Sequence, residues 1–215
     1  SENFMKTKKI REIFITLCMV TIFANLSFAD DMDTLTHYLR GLKNVSMDFT
    51  QYDAKGDKAK GSLLLLKPYN FRLNYCPPFP LLIVGNKKQV VMYDYELETT
   101  SRIDREENIF NFILTDEDNL NKEFNLQNIL NESDRKTFVL KHQTSDRMVS
   151  ITMKKYPKKL ISIVIDEADG NVIEIDFSDI REIKSAPNHL FTIPNPDIYG
   201  APKRFSAKDL QSLVE

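Results

Sequence analysis

The sequence is poor in the residues that build disulfides, metal centres and nucleophilic sites. Its 215 residues include two cysteines and three histidines, and no histidine stands at a spacing typical of metal ligation. The GxSxG, Walker and GxGxxG motifs are missing, and nothing in the sequence marks a base for Cys76. Six glycines and nine prolines leave no low-complexity tract. These absences predict that the protein is not an enzyme and uses no metal or other cofactor.

Excess charge and a membrane-spanning apolar run are also missing. The formal net charge is −2, so there is no electrostatic reason to expect nucleic acid as a partner. The most apolar stretch, from Ile13 to Leu26, is shorter than the about 20 residues that a transmembrane helix needs.

This apolar stretch is instead the centre of a predicted export signal. A basic segment, Met5 to Arg11, precedes it. Ser27 and Ala29 follow it and place small residues at the −3 and −1 positions of a cut before Asp30. The order basic, apolar, small is typical of a secretory signal peptide, with an uncleaved membrane anchor as the alternative.

We therefore expect residues 1–29 to be a leader, cleaved before Asp30, and residues 30–215 to form a single domain in a bacterial periplasm. Only Cys76 remains after cleavage, so no internal disulfide is expected. A domain of this size can rely on its hydrophobic core alone.

The periodicity of the mature chain predicts one helix followed by many short strands. Leu35, Leu39 and Leu42 recur at helical spacing within segment 31–42, and residues 45–52 alternate between apolar and polar. Further strands are predicted over 61–67, 70–76, 81–84, 89–94, 99–103, 137–143, 148–154, 160–165, 172–183 and 189–193. Helical pieces are predicted at 108–114, 120–130 and 206–214, the last one starting at a Ser206 N-cap.

These ten or eleven strands, joined mainly by hairpins, predict an α+β fold built on one large, curved antiparallel sheet or barrel. The helices are the only candidates to cover its concave face. No linker is long enough to divide the domain.

Segment 63–75 concentrates apolar side chains around Lys67 and Pro68. Both faces of the strand from Leu63 to Leu66 are apolar, so both faces must be covered. The residues predicted to line the concave side are Phe49, Leu63, Leu65, Leu73, Tyr75, Val91 and Tyr93. The pattern alone favours a filled core over a ligand cavity, and periodicity does not decide whether a helix or a ligand fills that side.

A series of short motifs resembles the LolA family of periplasmic lipoprotein carriers. In chain order these are Phe49-Thr50-Gln51, Gly61 leading a strand into Lys67-Pro68, Phe71, Pro80 to Val84 with a Gly-Asn-Lys turn, Tyr93-Asp94 and Phe191-Thr192. The similarity extends from about Asp31 to about Pro196. Each motif is short, but their order after an export signal is specific.

The resemblance implies an unclosed antiparallel barrel whose helices form a lid over an apolar cavity. It implies a monomeric carrier that takes triacylated lipoproteins from an inner-membrane ABC-type complex (LolCDE-like) and delivers them to an outer-membrane receptor (LolB-like). By position, the lid would contain Phe110, Phe112, Ile113 and Leu114, and Phe71 would lie near the cavity mouth, in contact with partners. The tail after about residue 197 has no assigned counterpart.

One position departs from the family pattern. The family has an arginine directly before the proline, where it holds the lid shut, and this sequence has Lys67. Lysine lacks the planar fork of arginine, so we expect Lys67 to act as a weaker or different lid latch. The alternative function is a periplasmic sensor of lipids or lipoproteins with the same open-barrel fold.

Overall fold

The computed structural model describes residues 30–104, 117–167 and 169–213, with the side chains of residues 117–119 and 207 excepted. The predicted leader and the predicted lid residues Phe110, Phe112, Ile113 and Leu114 lie outside the described residues. None of the helices in the described ranges has the length and apolar character needed to cross a membrane.

The described residues form eleven strands and several short helices. The strands are β1 (Asn44–Tyr52), β2 (Lys58–Leu66), β3 (Asn70–Tyr75), β4 (Leu81–Gly85), β5 (Val90–Asp94), β6 (Thr99–Ile103), β7 (Phe124–Asn131), β8 (Arg135–His142), β9 (Met148–Lys154), β10 (Lys159–Asp166) and β11 (Val172–Glu182). Helix α1 covers residues 30–41. It is followed along the chain by α2 (Glu117–Glu123), a 3₁₀ turn (Asn188–Phe191), α3 (Pro196–Tyr199) and α4 (Ala207–Leu213).

All eleven strands belong to one antiparallel sheet in the order β6-β5-β4-β3-β2-β1-β11-β10-β9-β8-β7. Two meanders are therefore joined side by side by the pairing of the first strand with the last, in which Phe49 lies opposite Phe177. The two edges, β6 and β7, do not pair with each other within the described residues, so the sheet is unclosed. The predicted α+β fold with an unclosed antiparallel sheet is confirmed.

The register of the ladders assigns each side chain to one of two faces. Met47 lies opposite Leu63, and Leu63 lies opposite Leu73 on the next strand. Directly opposed residues share a face of the sheet, and we call this one the inner face. It carries the main core, and α1 packs on it through Leu35, Leu39 and Leu42.

The opposite, outer face is partly covered by residues 188–213, which we call the C-terminal segment. Leu64 points to this side and packs with Leu190, Phe191 and Leu210 of that segment. The prediction that both faces of β2 need a cover is therefore confirmed. Residues 30–41 cover one face, and the C-terminal segment covers the other.

Two predicted elements are wrong. Residues 120–130 are not one helical piece, because α2 ends at Glu123 and β7 begins at Phe124. A bulge between Leu126 and Asn128 shifts the register there, and the extra residue hides the strand period. The predicted strand 189–193 begins instead as a 3₁₀ turn, since Leu190 and Phe191 are neighbours that both become buried.

Candidate functional site

Five of the seven predicted lining residues lie on the inner face. They are Phe49, Leu63, Leu65, Leu73 and Tyr75. The four other than Tyr75 are at most 2% exposed, and Tyr75 packs against the same core. The sheet therefore brings these residues into one continuous apolar surface beneath α1.

Aromatic packing at one end of this surface depends on a glycine. Phe49 lies opposite Gly61, which lies opposite Tyr75 on β3. The Phe49 and Tyr75 rings meet edge to face, with centroids 5.2 Å apart. A Cβ atom on Gly61 would come within 2.5 Å of the Phe49 ring, so a larger residue there would displace the ring.

Tyr75 also places a polar group at the border of the apolar surface. Its hydroxyl donates a hydrogen bond of 3.0 Å to Gln51 Oε1. Burial raises the pKa of Tyr75 far above its ordinary value, so the hydroxyl remains a neutral donor at physiological pH.

The placement of Val91 and Tyr93 on the inner side is wrong. Phe71 lies opposite Gly85, and Gly85 lies opposite Val90, so Val90 is the residue of β5 that shares the inner face. Val91 and Tyr93 have the other parity and point to the outer face, where Tyr93 packs in a separate small core. Alternation defines two rows on a strand, but the preceding turn decides which row faces inward.

Phe71 was predicted to lie near the cavity mouth and to contact partners, and that partner contact stays a prediction. Its side chain is completely buried in the inner core. The ring occupies the space above Gly85, and a Cβ atom at that glycine would overlap it. Phe71 therefore supports the apolar surface from within and presents no area to a partner in this conformation.

Among the contacts seen in the described residues, polar interactions of Asp31, Tyr38 and Lys67 attach α1 to the sheet. Near its beginning, Asp31 forms an ion pair with Lys136 of β8. In its middle, the Tyr38 hydroxyl accepts a hydrogen bond of 2.7 Å from the backbone N–H of Leu160, beside a bulge in β10. Burial raises the pKa of Tyr38, which keeps the hydroxyl neutral. Near its end, α1 is contacted by Lys67.

Lys67 Nζ donates a hydrogen bond of 2.9 Å to the Leu39 carbonyl. This carbonyl belongs to the last turn of α1 and also accepts a hydrogen bond of 3.2 Å from the backbone N–H of Leu42, so Lys67 is its second donor. A cation is also favoured there by the helix dipole. This contact therefore links Lys67 to α1. Its predicted contact with the lid residues Phe110, Phe112, Ile113 and Leu114 lies outside the described residues.

Sequence reasoning missed the other two attachments of α1. Tyr38 follows Leu35 by three residues, so its place on the buried side of the helix was a detectable signal. The pairing of Asp31 with Lys136 had no signal, because it depends on how β8 lies relative to α1. In the described part of the chain, no three His, Cys, Asp or Glu side chains cluster as metal ligands.

These features define an open antiparallel β-sheet protein whose inner apolar surface is covered by α1, which contacts of Asp31, Tyr38 and Lys67 attach to the sheet. The chain belongs to the LolA family. The family model described as outer membrane lipoprotein carrier protein LolA matches residues 40–194, which include all eleven strands of the sheet.

Similar proteins occur in several bacteria. An uncharacterized protein of Rickettsia prowazekii, RP864, is 38% identical over 207 residues, which cover 95% of this chain and 96% of that protein. An outer-membrane lipoprotein carrier protein of Francisella philomiragia is 28% identical and covers 85% of this chain and 94% of its own length. Among solved structures, the LolA superfamily protein NE2245 from Nitrosomonas europaea aligns with 77% of this chain and 98% of its own, at 12% identity and a TM-score of 0.47.

Proposed function

We propose that this protein is a periplasmic carrier that binds the acyl chains of lipoproteins on the inner face of its sheet and delivers them towards the outer membrane. The observation that carries the proposal is the continuous apolar surface of Phe49, Leu63, Leu65, Leu73 and Tyr75 beneath α1. Membership of the LolA family and the carrier names of relatives support it.

The energetics of α1 suit an exchange between helix and lipid. Burying its three leucines contributes about 5–9 kcal/mol, at 1.5–3 kcal/mol for each side chain. A sixteen-carbon acyl chain gains about 12 kcal/mol when it is buried, at about 0.8 kcal/mol per methylene. Relative to water, one acyl chain on the inner face therefore gains at least as much free energy as the three leucines of α1 lose when it replaces them. When the chain leaves, α1 covers the surface again.

The polar contacts of α1 would then set how readily the surface opens. The hydrogen bond from Lys67 to Leu39 makes Lys67 a latch in this proposal. Together with the lid residues Phe110, Phe112, Ile113 and Leu114, α1 would form the movable cover. The work of the site is binding and release, with no covalent step.

The wider assignment follows from the same proposal. Residues 30–215 would act as a single, monomeric carrier domain after removal of leader 1–29. The cargo would be triacylated lipoproteins, received from a LolCDE-like inner-membrane complex and passed to a LolB-like receptor.

The test uses two neighbouring leucines that face opposite ways. A diazirine side chain is placed at Leu65, on the inner face, or at Leu64, on the outer face. Each protein is mixed with a purified triacylated lipoprotein or with its unacylated form, and examined by native mass spectrometry and photo-crosslinking.

We expect a soluble 1:1 complex with the acylated form alone and crosslinks to its acyl chains from position 65 but not from position 64. Equal crosslinking from both positions, or equal binding of the unacylated form, would overturn the assignment of the inner face as the acyl site. The absence of any complex would overturn the carrier function.

A further inference from the structure

A buried guanidinium lies on the outer face without a carboxylate partner. Arg72 of β3 is 4% exposed. Its Nε donates to Asn74 Oδ1 at 3.0 Å, its Nη1 to the Leu190 carbonyl at 3.1 Å and its Nη2 to the Lys203 carbonyl at 3.2 Å. All three acceptors are neutral. None of the ion pairs found among the described residues includes Arg72.

This charge is only partly compensated where it lies. The Phe205 ring of the C-terminal segment lies 5.0 Å from Arg72 Cζ, an arrangement that attracts a cation to the face of the ring. Burial lowers the pKa of Arg72 to about 10, so the group still carries its positive charge at neutral pH. Buried charges in proteins are normally paired, and the neutral surroundings of Arg72 therefore favour an added anion.

A second buried donor next to Arg72 also lacks a partner. Asn74 is 8% exposed, and its Oδ1 is used by Arg72. Its Nδ2 has no hydrogen-bond partner in the described structure. Asn74 lines a cavity of about 210 Å³ together with Tyr95, Arg204 and Phe205. Buried donors in folded proteins nearly always have an acceptor, which can be an ordered water or a bound anion.

Arg72 itself lines a larger cavity beneath the C-terminal segment, of about 570 Å³. Lys203 adds a second positive charge to the lining. The cavity also contains Asp209, but both the backbone N–H and the hydroxyl of Ser206 donate to its carboxylate, at 2.9 and 2.8 Å. Phe205 borders both cavities, and the hydrogen bond from Arg72 to Asn74 connects the lining of the larger cavity to that of the smaller one.

We propose that this pocket between β3 and the C-terminal segment binds a phosphate group, with Arg72 supplying the charge and Asn74 Nδ2 a second donor. A guanidinium matches phosphate oxygens in geometry as well as charge. The larger cavity exceeds the size of inorganic phosphate and has apolar residues such as Ile193, Pro202 and Leu213 in its lining. It therefore has room for the organic part of a phosphate ester such as a phospholipid headgroup. The pocket lies on the face opposite α1 and does not depend on acyl-chain binding.

The test compares inorganic phosphate with a soluble short-chain phosphatidylglycerol, both against sodium chloride at matched ionic strength. Binding is followed by the thermal midpoint of the full chain and by the side-chain ¹⁵Nε resonance of Arg72. We expect a rise of the midpoint and a shift of that resonance. Binding of both ligands would identify the phosphate itself as sufficient. A shift of the Arg72 resonance by the lipid alone would identify the headgroup ester as the ligand, whereas a rise of the midpoint by the lipid without that shift would place the lipid elsewhere and overturn the proposal.

One variant supplies the missing anion from within. Asn74→Asp places a carboxylate beside Arg72 Nε. We expect the new carboxylate to pair with Arg72 and so to raise the thermal midpoint without ligand. Because it occupies the place of the phosphate, it should weaken phosphate binding by about tenfold or more, which corresponds to about 1.4 kcal/mol. The matched control is Arg181→Gln, at an exposed arginine on β11 paired with Asp179, which should leave the ligand response unchanged.

Two results would overturn the proposal. In the wild-type protein, it would fail if neither ligand shifted the Arg72 resonance beyond the salt control, whatever the change in the midpoint. The wild-type resonance gives this answer even if Asn74→Asp does not fold. If Asn74→Asp folded and bound phosphate as tightly as the wild type, Arg72 and Asn74 would not be the site.

Discussion

Replacing Lys67 with methionine removes the ammonium group that contacts the end of α1 and keeps most of the apolar side chain. The lost contact with α1 in the described residues is the 2.9 Å hydrogen bond to the Leu39 carbonyl. Hydrogen bonds to charged groups contribute about 1.5–3 kcal/mol. Lys67 is half-buried, which places it at the low end of that range. A loss of about 1.4 kcal/mol raises the population of detached α1 by about tenfold.

Hydrogen exchange measured by mass spectrometry reports this population directly. In Lys67→Met, amides of residues 30–41 should exchange about tenfold faster than in the wild type, following the change in local opening. Amides of the central strand β1 should exchange at the wild-type rate. Lys67→Arg should keep α1 protected, because a guanidinium can also donate to the Leu39 carbonyl.

Lys60→Met is the matched control, since Lys60 is an exposed lysine on β2, the strand that ends just before Lys67. It removes one positive charge without touching α1, so exchange in α1 should not change. If Lys67→Met left the protection of α1 at the wild-type level, the latch role of Lys67 would be refuted. Equal acceleration by both variants would attribute the effect to net charge.

Three further results are expected. Gly85→Ala should lower the free energy of unfolding in urea by about 1–3 kcal/mol, because the new methyl group overlaps the Phe71 ring. The control Gly41→Ala, where a Cβ meets no atom within 4 Å, should leave stability unchanged. Equal losses in both variants would contradict the close packing of Phe71 on Gly85. Stability should fall as pH rises above 10, because burial raises the pKa of Tyr75 in the folded protein and the tyrosine therefore ionises in the unfolded state first. Unfolding measured between pH 8 and 11 should show a smaller loss of stability in Tyr75→Phe. An unchanged loss would show that another group causes it. Tyr38→Phe removes the acceptor for a β10 N–H and should cost about 1 kcal/mol; calorimetry showing no change would mean that water replaces the hydroxyl.

The strands were predictable because alternation is a local property of the chain. The predicted segment 45–52 differs from observed β1 by one residue, and the Ser206 N-cap of α4 is present, with Ser206 Oγ accepting from the Asp209 N–H. Residues 120–130 were predicted incorrectly because the bulge at Leu126 and Asn128 imitates a helical spacing.

The composition of the inner face was only partly predictable. The inner-face residues of β1, β2 and β3 were predicted correctly, because the strongly apolar segment 63–75 indicates which side chains of these strands are buried. Val91 and Tyr93 were not, because the face of β5 depends on the length of the turn after Gly85. The resemblance pointed to Lys67 as a latch, but its contact with Leu39 needed the structure. Arg72 and Asn74 show as a polar pair in the sequence, but their burial under the C-terminal segment does not.

The pairing of β1 with β11 also has a consequence for how the chain folds. Phe49 and Phe177 are opposed at the centre of the sheet, although most of the domain separates them in sequence. Closing so long a loop is entropically unfavourable, and folding slows as such distant contacts become necessary. The two meanders can form early, but they cannot join until the last strand is available. We therefore expect a slow final step, during which the newly made chain remains incompletely folded.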